Sequence, residues 1–292
     1  MMNNDPVKEL ASRRSDTVML MRRLGLNAMA DHVRTQFEQS SVYSPMSFEA
    51  RLYEALQAQE DYETGRARER LISRAHFRMS CDMSFITVSE SRGLSMQDKQ
   101  YLISMDYLRE HKNICIEAPS AAGKTTLCHA VGRHCCSHGH SVLYTRKTEL
   151  MDEFLSHTTN AMKQRFRTRI GKIELIIFDD FGLDRLTENQ CSALYDILDD
   201  RHDRLSTMFA TQHSRKGLGK AVAAGGNRAV QEALVRRITG NAVTLKLKPA
   251  PELGVGYIND PSLGRTGDGT GEDEGSADET ADVHGKAGTG EM

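Results

Sequence analysis

A stretch near the middle of the chain has residues suited to binding phosphate. An apolar run, Ile114-Cys115-Ile116, leads to Gly123, Lys124 and Thr125 at the start of a helical pattern. In the GxxxxGKS/T motif, backbone N–H groups surround phosphate at a helix N-terminus, where the helix dipole favours an anion. Gly123 allows close backbone approach, Lys124 can reach terminal phosphates and the Thr125 hydroxyl can ligate Mg²⁺. The predicted contacts are Ala118, Pro119, Ser120, Ala121, Ala122, Gly123, Lys124, Thr125 and Thr126.

Ala118 stands where the motif has its first glycine. Pro119 restricts the residue before it to extended conformations, where a methyl group costs little. We therefore expect the loop to keep its phosphate-binding shape. The alternative is an ordinary loop with a chance Gly-Lys-Thr, but the strand before it, the helix after it and a second motif downstream argue against this.

The second motif is an apolar run that ends in two carboxylates. Leu175-Ile176-Ile177-Phe178 leads directly into Asp179 and Asp180. Asp179 is predicted to hold Mg²⁺ through water, and Asp180 to orient and deprotonate an attacking water. Glutamate is usual at the second position, and aspartate is one methylene shorter, so hydrolysis may be expected to be slow. The alternative is a pair that only caps a strand before the turn at Gly182.

Two weaker signals lie further along the chain. Thr211 and Gln212 end the run Met208-Phe209-Ala210 and are predicted to lie between the two motifs, where either side chain could sense a γ-phosphate. Arg236 and Arg237 fall on a late helix, and one of them could reach nucleotide in its own or a neighbouring subunit, where arginine stabilises charge during phosphoryl transfer. A solvated helix face is the alternative for these arginines.

The elements around the motifs predict an α/β fold of the P-loop NTPase type. Five short apolar runs, at 114–116, 142–144, 175–178, 208–210 and 243–245, alternate with helical stretches at 124–136, 148–160, 188–201 and 228–239. This order is typical of a parallel sheet flanked by helices on both faces.

The N-terminal part reads as a small all-α module. One helix is predicted over 17–40, and a second begins after the N-cap Ser47 and runs to about Phe77. The glycine-rich, acidic C-terminal segment has almost no large apolar residue and is predicted to be disordered. The predicted division is a helical module over 1–78 for DNA or partner binding, a connecting region over 79–112, a P-loop domain over 113–250 and a tail over 251–292.

Composition and charge narrow the class of protein. Hydrophobic residues make up 39% and charged residues 27% of the 292, which is the globular range. Residues 261–292 carry eight acidic and two basic side chains, so the other 260 residues carry +4 of the chain's net −2. A basic body is compatible with nucleic-acid contact. No run of about 18 apolar residues and no signal-peptide pattern is present, so we expect a cytoplasmic protein without a membrane span.

A row of arginines on the second predicted helix could follow a phosphate backbone. Arg66, Arg70 and Arg74 recur at i+4 spacing, with Arg78 one turn on if the helix continues. Guanidinium groups about 6 Å apart on one face can track DNA, and their binding weakens with salt. The alternative is ordinary intrahelical ion pairing with Glu63 and Glu69.

Six cysteines are expected to be free thiols in a cytoplasmic protein. Several lie with histidines on and after the helix that follows the phosphate loop, but their spacing matches no standard zinc pattern, so packing is favoured over metal binding. This group is Cys128, His129, His134, Cys135, Cys136, His138 and His140.

Taken together, these residues resemble the IstB-like transposition helper ATPases, AAA+ proteins related to the DnaC helicase loader. The resemblance spans roughly residues 20–248. It is carried by Leu24 to Ala30, Ser47 to Glu49, Asn113, Ala118 to Leu127, Leu175 to Gly182 and Ala233 to Ile238. It implies an ATPase that assembles with ATP and Mg²⁺ on double-stranded DNA as a homo-oligomer and recruits and activates a transposase of the same mobile element. It places Arg237 at the family's late arginine and Lys124, Thr125, Asp179 and Asp180 at its core positions.

Two alternatives share the same nucleotide site. A DnaC-like helicase loader would differ in its partner, which would be a replicative helicase. A non-hydrolysing adaptor would use ATP only as a switch, and the aspartate at position 180 keeps this alternative open.

Overall fold

Helices form the whole N-terminal part of the described chain. The computed structural model describes residues 6–183, 186–222 and 228–249, so the predicted tail lies outside the described residues. The all-α character predicted for this part is confirmed. Its helices are α1 (Pro6–Arg23), α2 (Asn27–Glu38), α3 (Ser40–Tyr43) and α4 (Phe48–Arg74).

The single helix predicted over 17–40 is wrong, because two helices meet there. Gly25 has a φ of +83°, in the left-handed region that ends helices. The Leu26 N–H donates back to the Met21 carbonyl, which closes the end of α1.

Helix α4 begins where the sequence predicts and ends earlier than predicted. Ser47 accepts a hydrogen bond from the Ala50 N–H and is the N-cap, as expected. The helix ends at Arg74, with Ala75 as C-cap, and His76 then takes a φ of +61°. Arg78 is therefore outside the helix, and its predicted place on the arginine row is wrong.

Side-chain amides fix α2 against α4. Leu26, the N-cap residue of α2, offers no side-chain cap. The Gln59 Oε1 on α4 instead accepts from the N–H groups of Ala28 and Met29, at 3.0 and 3.2 Å. Gln36 Nε2 donates to the Arg51 carbonyl at 2.8 Å, so the two helices are bonded at both ends of their contact.

The connecting region contains two short helices, α5 (Met96–Ser104) and α6 (Asp106–Arg109), after two 3-10 turns at Met83–Phe85 and Glu90–Arg92. Gly93 has a φ of +80°, and a Cβ at this position would clash with the Lys246 carbonyl. This turn therefore sits directly on the last strand of the sheet.

All five predicted strands exist and form one parallel sheet. The order is β2-β3-β4-β1-β5, and every neighbouring pair is parallel. The fold class predicted from the sequence is therefore confirmed. The strands are β1 (Asn113–Glu117), β2 (Val142–Arg146), β3 (Leu175–Asp179), β4 (Ser206–Thr211) and β5 (Ala242–Lys246).

Helices cover both faces of the sheet. Along β3, Leu175 and Ile177 belong to one buried cluster, while Ile176 and Phe178 belong to the other. Burial on both faces explains why these strands read as continuous apolar runs. The covering helices are α7 (Lys124–Ser137), α8 (Lys147–Ser156), α9 (Asn160–Ile170), α10 (Glu188–Arg201), α11 (Arg215–Val222) and α12 (Arg228–Thr239).

Two of these helices were not predicted. The sequence predicts one helix over 148–160, whereas α8 ends at Ser156 and α9 starts anew after Thr159, whose hydroxyl accepts from the Met162 N–H. Helix α11 is short and contains glycines, so its pattern was too weak to identify. Within the described ranges, no helix has the length and apolar character needed to cross a membrane.

Arg201 joins the amino-terminal ends of two strands. Its side chain is 1% exposed and donates to the carbonyls of Ile170, Ile173 and Ser206, at 3.0, 2.7 and 2.6 Å. Buried carbonyls need donors, and these have no water to replace a lost guanidinium.

We expect Arg201→Met to lower the free energy of unfolding by about 3 kcal/mol, because it leaves several buried carbonyls unpaired. Urea unfolding measures the loss. The matched control is Arg204→Met, since Arg204 is exposed, and a change within about 0.5 kcal/mol is expected there. Equal midpoints for the two variants would contradict this role of Arg201.

Candidate nucleotide site

The loop between β1 and α7 has the backbone shape of an anion site. Gly123 is the N-cap of α7, has a φ of +85° and provides no side-chain cap, so the first N–H groups of the helix have no capping partner. Ala121 also lies in the left-handed region, with a φ of +61°. Alternation of left- and right-handed residues turns successive N–H groups toward one point, which suits a phosphate.

Ala118 fits the position where the motif has glycine. It lies outside the left-handed region, so its methyl group causes no backbone strain. Its N–H donates to the Thr211 carbonyl at 3.0 Å, which ties the loop to β4. The substitution for glycine is therefore compatible with the loop.

Lys124 folds over the loop. Its Nζ donates to the carbonyls of Ala118 and Pro119, at 2.9 and 2.8 Å, and the residue is 5% exposed. Burial lowers the pKa of Lys124, while the charges of Asp180 and Asp179 act in the opposite direction. A buried ammonium held by two neutral carbonyls is well placed to exchange them for phosphate oxygens.

The two sequence motifs meet through a hydrogen bond. Thr125 Oγ1 donates to Asp179 Oδ2 at 2.8 Å, and Asp179 is 3% exposed. The other carboxylate oxygen accepts from the Asp180 N–H at 2.9 Å. A hydroxyl and a carboxylate in contact beside the anion loop form the oxygen donor set that suits Mg²⁺.

Asp180 is turned away from the strand direction. Its φ is +52°, a region that aspartate tolerates better than most residues. Its carboxylate is 3.8 Å from an Arg146 guanidinium nitrogen at the end of β2. An arginine beside this carboxylate favours the charged form and so opposes proton uptake.

The third predicted element lies between the motifs, as expected from the sequence. Strand β4 pairs with β1 on one side and β3 on the other. Thr211 is 2% exposed, and its Oγ1 accepts from the His213 N–H at 3.1 Å. The side chain of Gln212 is exposed. Neither side chain makes a direct hydrogen bond to the loop residues.

The structure does not bring Arg237 to the phosphate loop of its own chain. The Arg237 carbonyl accepts from Asn113 Nδ2 at 2.9 Å, and Asn113 is the first residue of β1, whereas the loop follows the last. The guanidinium pairs with Asp199 at 2.8 Å. Action within the same subunit is therefore excluded as a direct contact, and the role across a subunit boundary stays a prediction.

Three residues near the site were missed from the sequence. Tyr144 Oη donates to Asp179 Oδ2 at 2.6 Å, Arg146 faces Asp180, and His129 Nδ1 lies 2.7 Å from the Thr125 carbonyl. The helical spacing of His129 and Thr125 was a usable signal. The other two depend on the pairing of β2 with β3, which the sequence does not state.

The cysteines and histidines near α7 pack separately. Cys128, Cys135 and Cys136 are buried free thiols, and His140 pairs with Glu174 at 2.7 Å. Among the described residues, no group of three possible ligands is arranged to hold a metal ion.

Three of the four predicted DNA-contacting arginines share helix α4. Arg66, Arg70 and Arg74 are exposed, and no carboxylate of the described residues lies within ion-pair distance of them. Arg66 is 5.6 Å from the centre of the Tyr62 ring. Arg78 instead pairs with Glu149 at 2.6 Å. The intrahelical pairing expected as the alternative is therefore not seen for the three helical arginines.

Known proteins resemble this chain in sequence. An insertion sequence ATP-binding protein of Pseudomonas fluorescens is 27% identical over 198 residues, which are 67% of this chain and 85% of that protein. An insertion sequence ATP-binding protein of Sinorhizobium fredii is 31% identical over 156 residues, which are 53% of this chain. The match spans 62% of the length of that second relative.

Solved structures with a similar arrangement include DnaI and the AMPPCP-bound DnaA of Aquifex aeolicus. The DnaI likeness has 19% identity and a TM-score of 0.49, covering 62% of this chain and 98% of that one. The DnaA likeness has 18% identity and a TM-score of 0.48, covering 59% of this chain and 51% of that one.

The family described as IstB-like ATP binding protein matches residues 19–250, well over half of the chain. That range includes the phosphate loop, the Asp179 strand and the whole parallel sheet of this AAA+ type P-loop fold. The chain belongs to the family of IstB-like ATP-binding proteins.

Proposed function

We propose that the chain is an ATPase that assembles on double-stranded DNA with Mg-ATP and recruits a transposase of the same mobile element. The observation that carries the proposal is the 2.8 Å bond between Thr125 Oγ1 and Asp179 Oδ2, beside a helix N-terminus without a cap. The names of the insertion-sequence relatives support the link to a mobile element.

The residues present fit a magnesium-bound triphosphate. The N–H groups from Ala121 to Thr126 would receive the phosphates, Lys124 would pair with the terminal ones, and Thr125 and Asp179 would hold the metal. Bound Mg²⁺ neutralises charge that develops on the phosphate oxygens. The buried position of Lys124 strengthens its pairing, because water competes less for a buried ammonium.

Hydrolysis depends on Asp180. This carboxylate would orient and deprotonate the attacking water, and its proximity to Arg146 keeps it ionised. Its short side chain and left-handed backbone place the carboxylate differently from a glutamate, so we propose slow turnover. Arg237 would act in a neighbouring subunit of a homo-oligomer, after release from Asp199.

A non-hydrolysing adaptor is the second candidate. The observation in its favour is the 3.8 Å approach of Arg146 to Asp180, which occupies the carboxylate needed as a base. In this case nucleotide binding alone would switch the protein between partners.

DNA would bind along the exposed arginines of α4. Arg66, Arg70 and Arg74 lie on successive turns of one helix and have no carboxylate partner among the described residues. Unpaired guanidinium groups lose no internal ion pair when they meet phosphate, so their full charge is available for binding.

We expect Lys124→Ala to abolish Mg-ATP binding, because the terminal phosphates lose their cation. Asp180→Asn is expected to bind ATP normally and to lower kcat by about a hundredfold or more, since the amide cannot accept a proton. Equilibrium binding and phosphate release measure both. The control is Lys172→Ala, at an exposed lysine remote from the motifs. Absence of turnover in the unmodified protein, with ATP binding intact, would favour the adaptor.

We expect Arg70→Glu combined with Arg74→Glu to abolish duplex retention at moderate salt. For single losses of a phosphate contact, the slope of log K against log salt should fall by about 0.9 per contact. A filter-binding titration over salt concentration measures this. The double variant Lys172→Glu with Arg204→Glu makes the same charge change on other exposed positions. Equal retention by both double variants would refute a specific role of α4.

The partner can be tested by co-purification. In the presence of Mg-ATP and duplex DNA, we expect the chain to retain an integrase-type transposase encoded beside it, and Lys124→Ala to lose this retention. A replicative helicase from the same source serves as the competing bait. Retention of the helicase without the transposase would replace the proposal with helicase loading.

A further inference from the structure

Asp179 receives a hydrogen bond from outside the two nucleotide motifs. Tyr144 on β2 is 4% exposed, and its Oη lies 2.6 Å from Asp179 Oδ2. Burial, and then the bond to Asp179, raise the pKa of the Tyr144 phenol, so the hydroxyl stays protonated and donates. The orientation of the Asp179 carboxylate therefore depends on Tyr144 as well as on Thr125.

The same tyrosine is bonded to the end of the arginine helix. Strand β2 is at the edge of the sheet, and the Tyr144 N–H, on its open side, donates to the Ala75 carbonyl at 2.8 Å. Ala75 is the C-cap of α4, one residue after Arg74. Only one residue therefore separates Asp179 from the backbone that ends α4.

His129 forms a second connection. Its Nδ1 lies 2.7 Å from the Thr125 carbonyl, and its Nε2 lies 3.1 Å from the Arg78 backbone nitrogen. A carbonyl can only accept and an N–H can only donate, so Nδ1 carries the proton and Nε2 accepts. Burial lowers the pKa of His129, which keeps the ring in this neutral form. The ring links the first turn of α7 to the segment that follows α4.

The rings around these bonds are packed without free space. The His129 and Tyr144 rings have centroids 4.2 Å apart, and Phe77 contacts both, at 5.9 and 6.2 Å. A Cβ at Gly132 would lie only 2.6 Å from the Phe77 ring. We call Phe77, His129 and Tyr144 the aromatic joint. Close packing transmits small displacements, because neighbouring atoms have no room to absorb them.

We propose that Tyr144 and His129 are positioning residues that couple the Asp179 end of the nucleotide site to helix α4. This inference rests on the proposed binding of Mg-ATP and duplex DNA. A metal held by Thr125 and Asp179 acts on the two residues that the joint holds, and DNA on α4 acts on the segment at its other end. Because linkage between two sites is reciprocal, each ligand then strengthens binding of the other.

The test measures the affinity for a non-hydrolysable ATP analogue with and without saturating duplex. In Mg²⁺ we expect the unmodified protein to bind the analogue at least about fivefold more tightly with duplex present. In EDTA the difference should vanish, because Asp179 acts on the nucleotide through the metal. A purely structural joint would not make the coupling depend on Mg²⁺.

Conservative variants isolate the two bonds. Tyr144→Phe keeps the ring and the backbone bond to Ala75 but removes the hydroxyl. His129→Asn keeps a donor near Nδ1 and loses the acceptor at Nε2, whereas His129→Gln can restore that acceptor. Tyr107→Phe is the matched control, since it removes a buried hydroxyl that contacts Cys135 instead of Asp179. Thermal unfolding of each variant verifies that it is folded.

We expect Tyr144→Phe and His129→Asn to bring the duplex effect close to onefold, while His129→Gln and Tyr107→Phe keep most of it. Unchanged coupling in both Tyr144→Phe and His129→Asn would overturn the inference, as would independent binding of the two ligands to the unmodified protein. Failure of the unmodified protein to bind either ligand would instead reject the proposed function.

Discussion

The hydrogen bond between Thr125 and Asp179 joins segments that are 54 positions apart in the sequence. It forms because β1 and β3 are parallel and share β4 as a neighbour, so their carboxyl ends meet at one edge of the sheet. The loop that follows β1 and the carboxylate that ends β3 then lie together without any further adjustment. The core on both faces of β3 and β4 is what holds this edge in place.

The departures from the commonest motif have different consequences. Ala118 has an ordinary backbone conformation and bonds to β4, so the missing glycine leaves the anion loop intact. Asp180 has a left-handed backbone and faces Arg146, so the missing glutamate changes the geometry at the position of the attacking water. The site is therefore better suited to holding nucleotide than to rapid hydrolysis.

The edge strand β2 connects the sheet to the N-terminal helices. An edge strand leaves backbone groups unpaired, and the Tyr144 N–H uses the end of α4 as its partner. The helix that carries the arginines is thus attached next to the carboxylate of the nucleotide site and not at a remote surface. This arrangement gives the two proposed ligands a short physical connection.

The sequence determined the local features of the chain. The strands, the phosphate loop and the N-cap Ser47 were all predicted, because apolar runs, Gly123 and a serine before a helix act over a few residues. The break at Gly25 was also readable, although the continuous apolar pattern concealed it.

Only the tertiary structure decided which distant side chains meet. The pairing of β2 with β3 brings Tyr144 to Asp179, the early end of α4 removes Arg78 from the arginine row, and the direction of β1 separates Arg237 from the loop. Each outcome depends on strand register, strand order or the position of a helix end relative to the sheet. Such relations are set by packing between segments far apart in the chain, so no short stretch of sequence contains them.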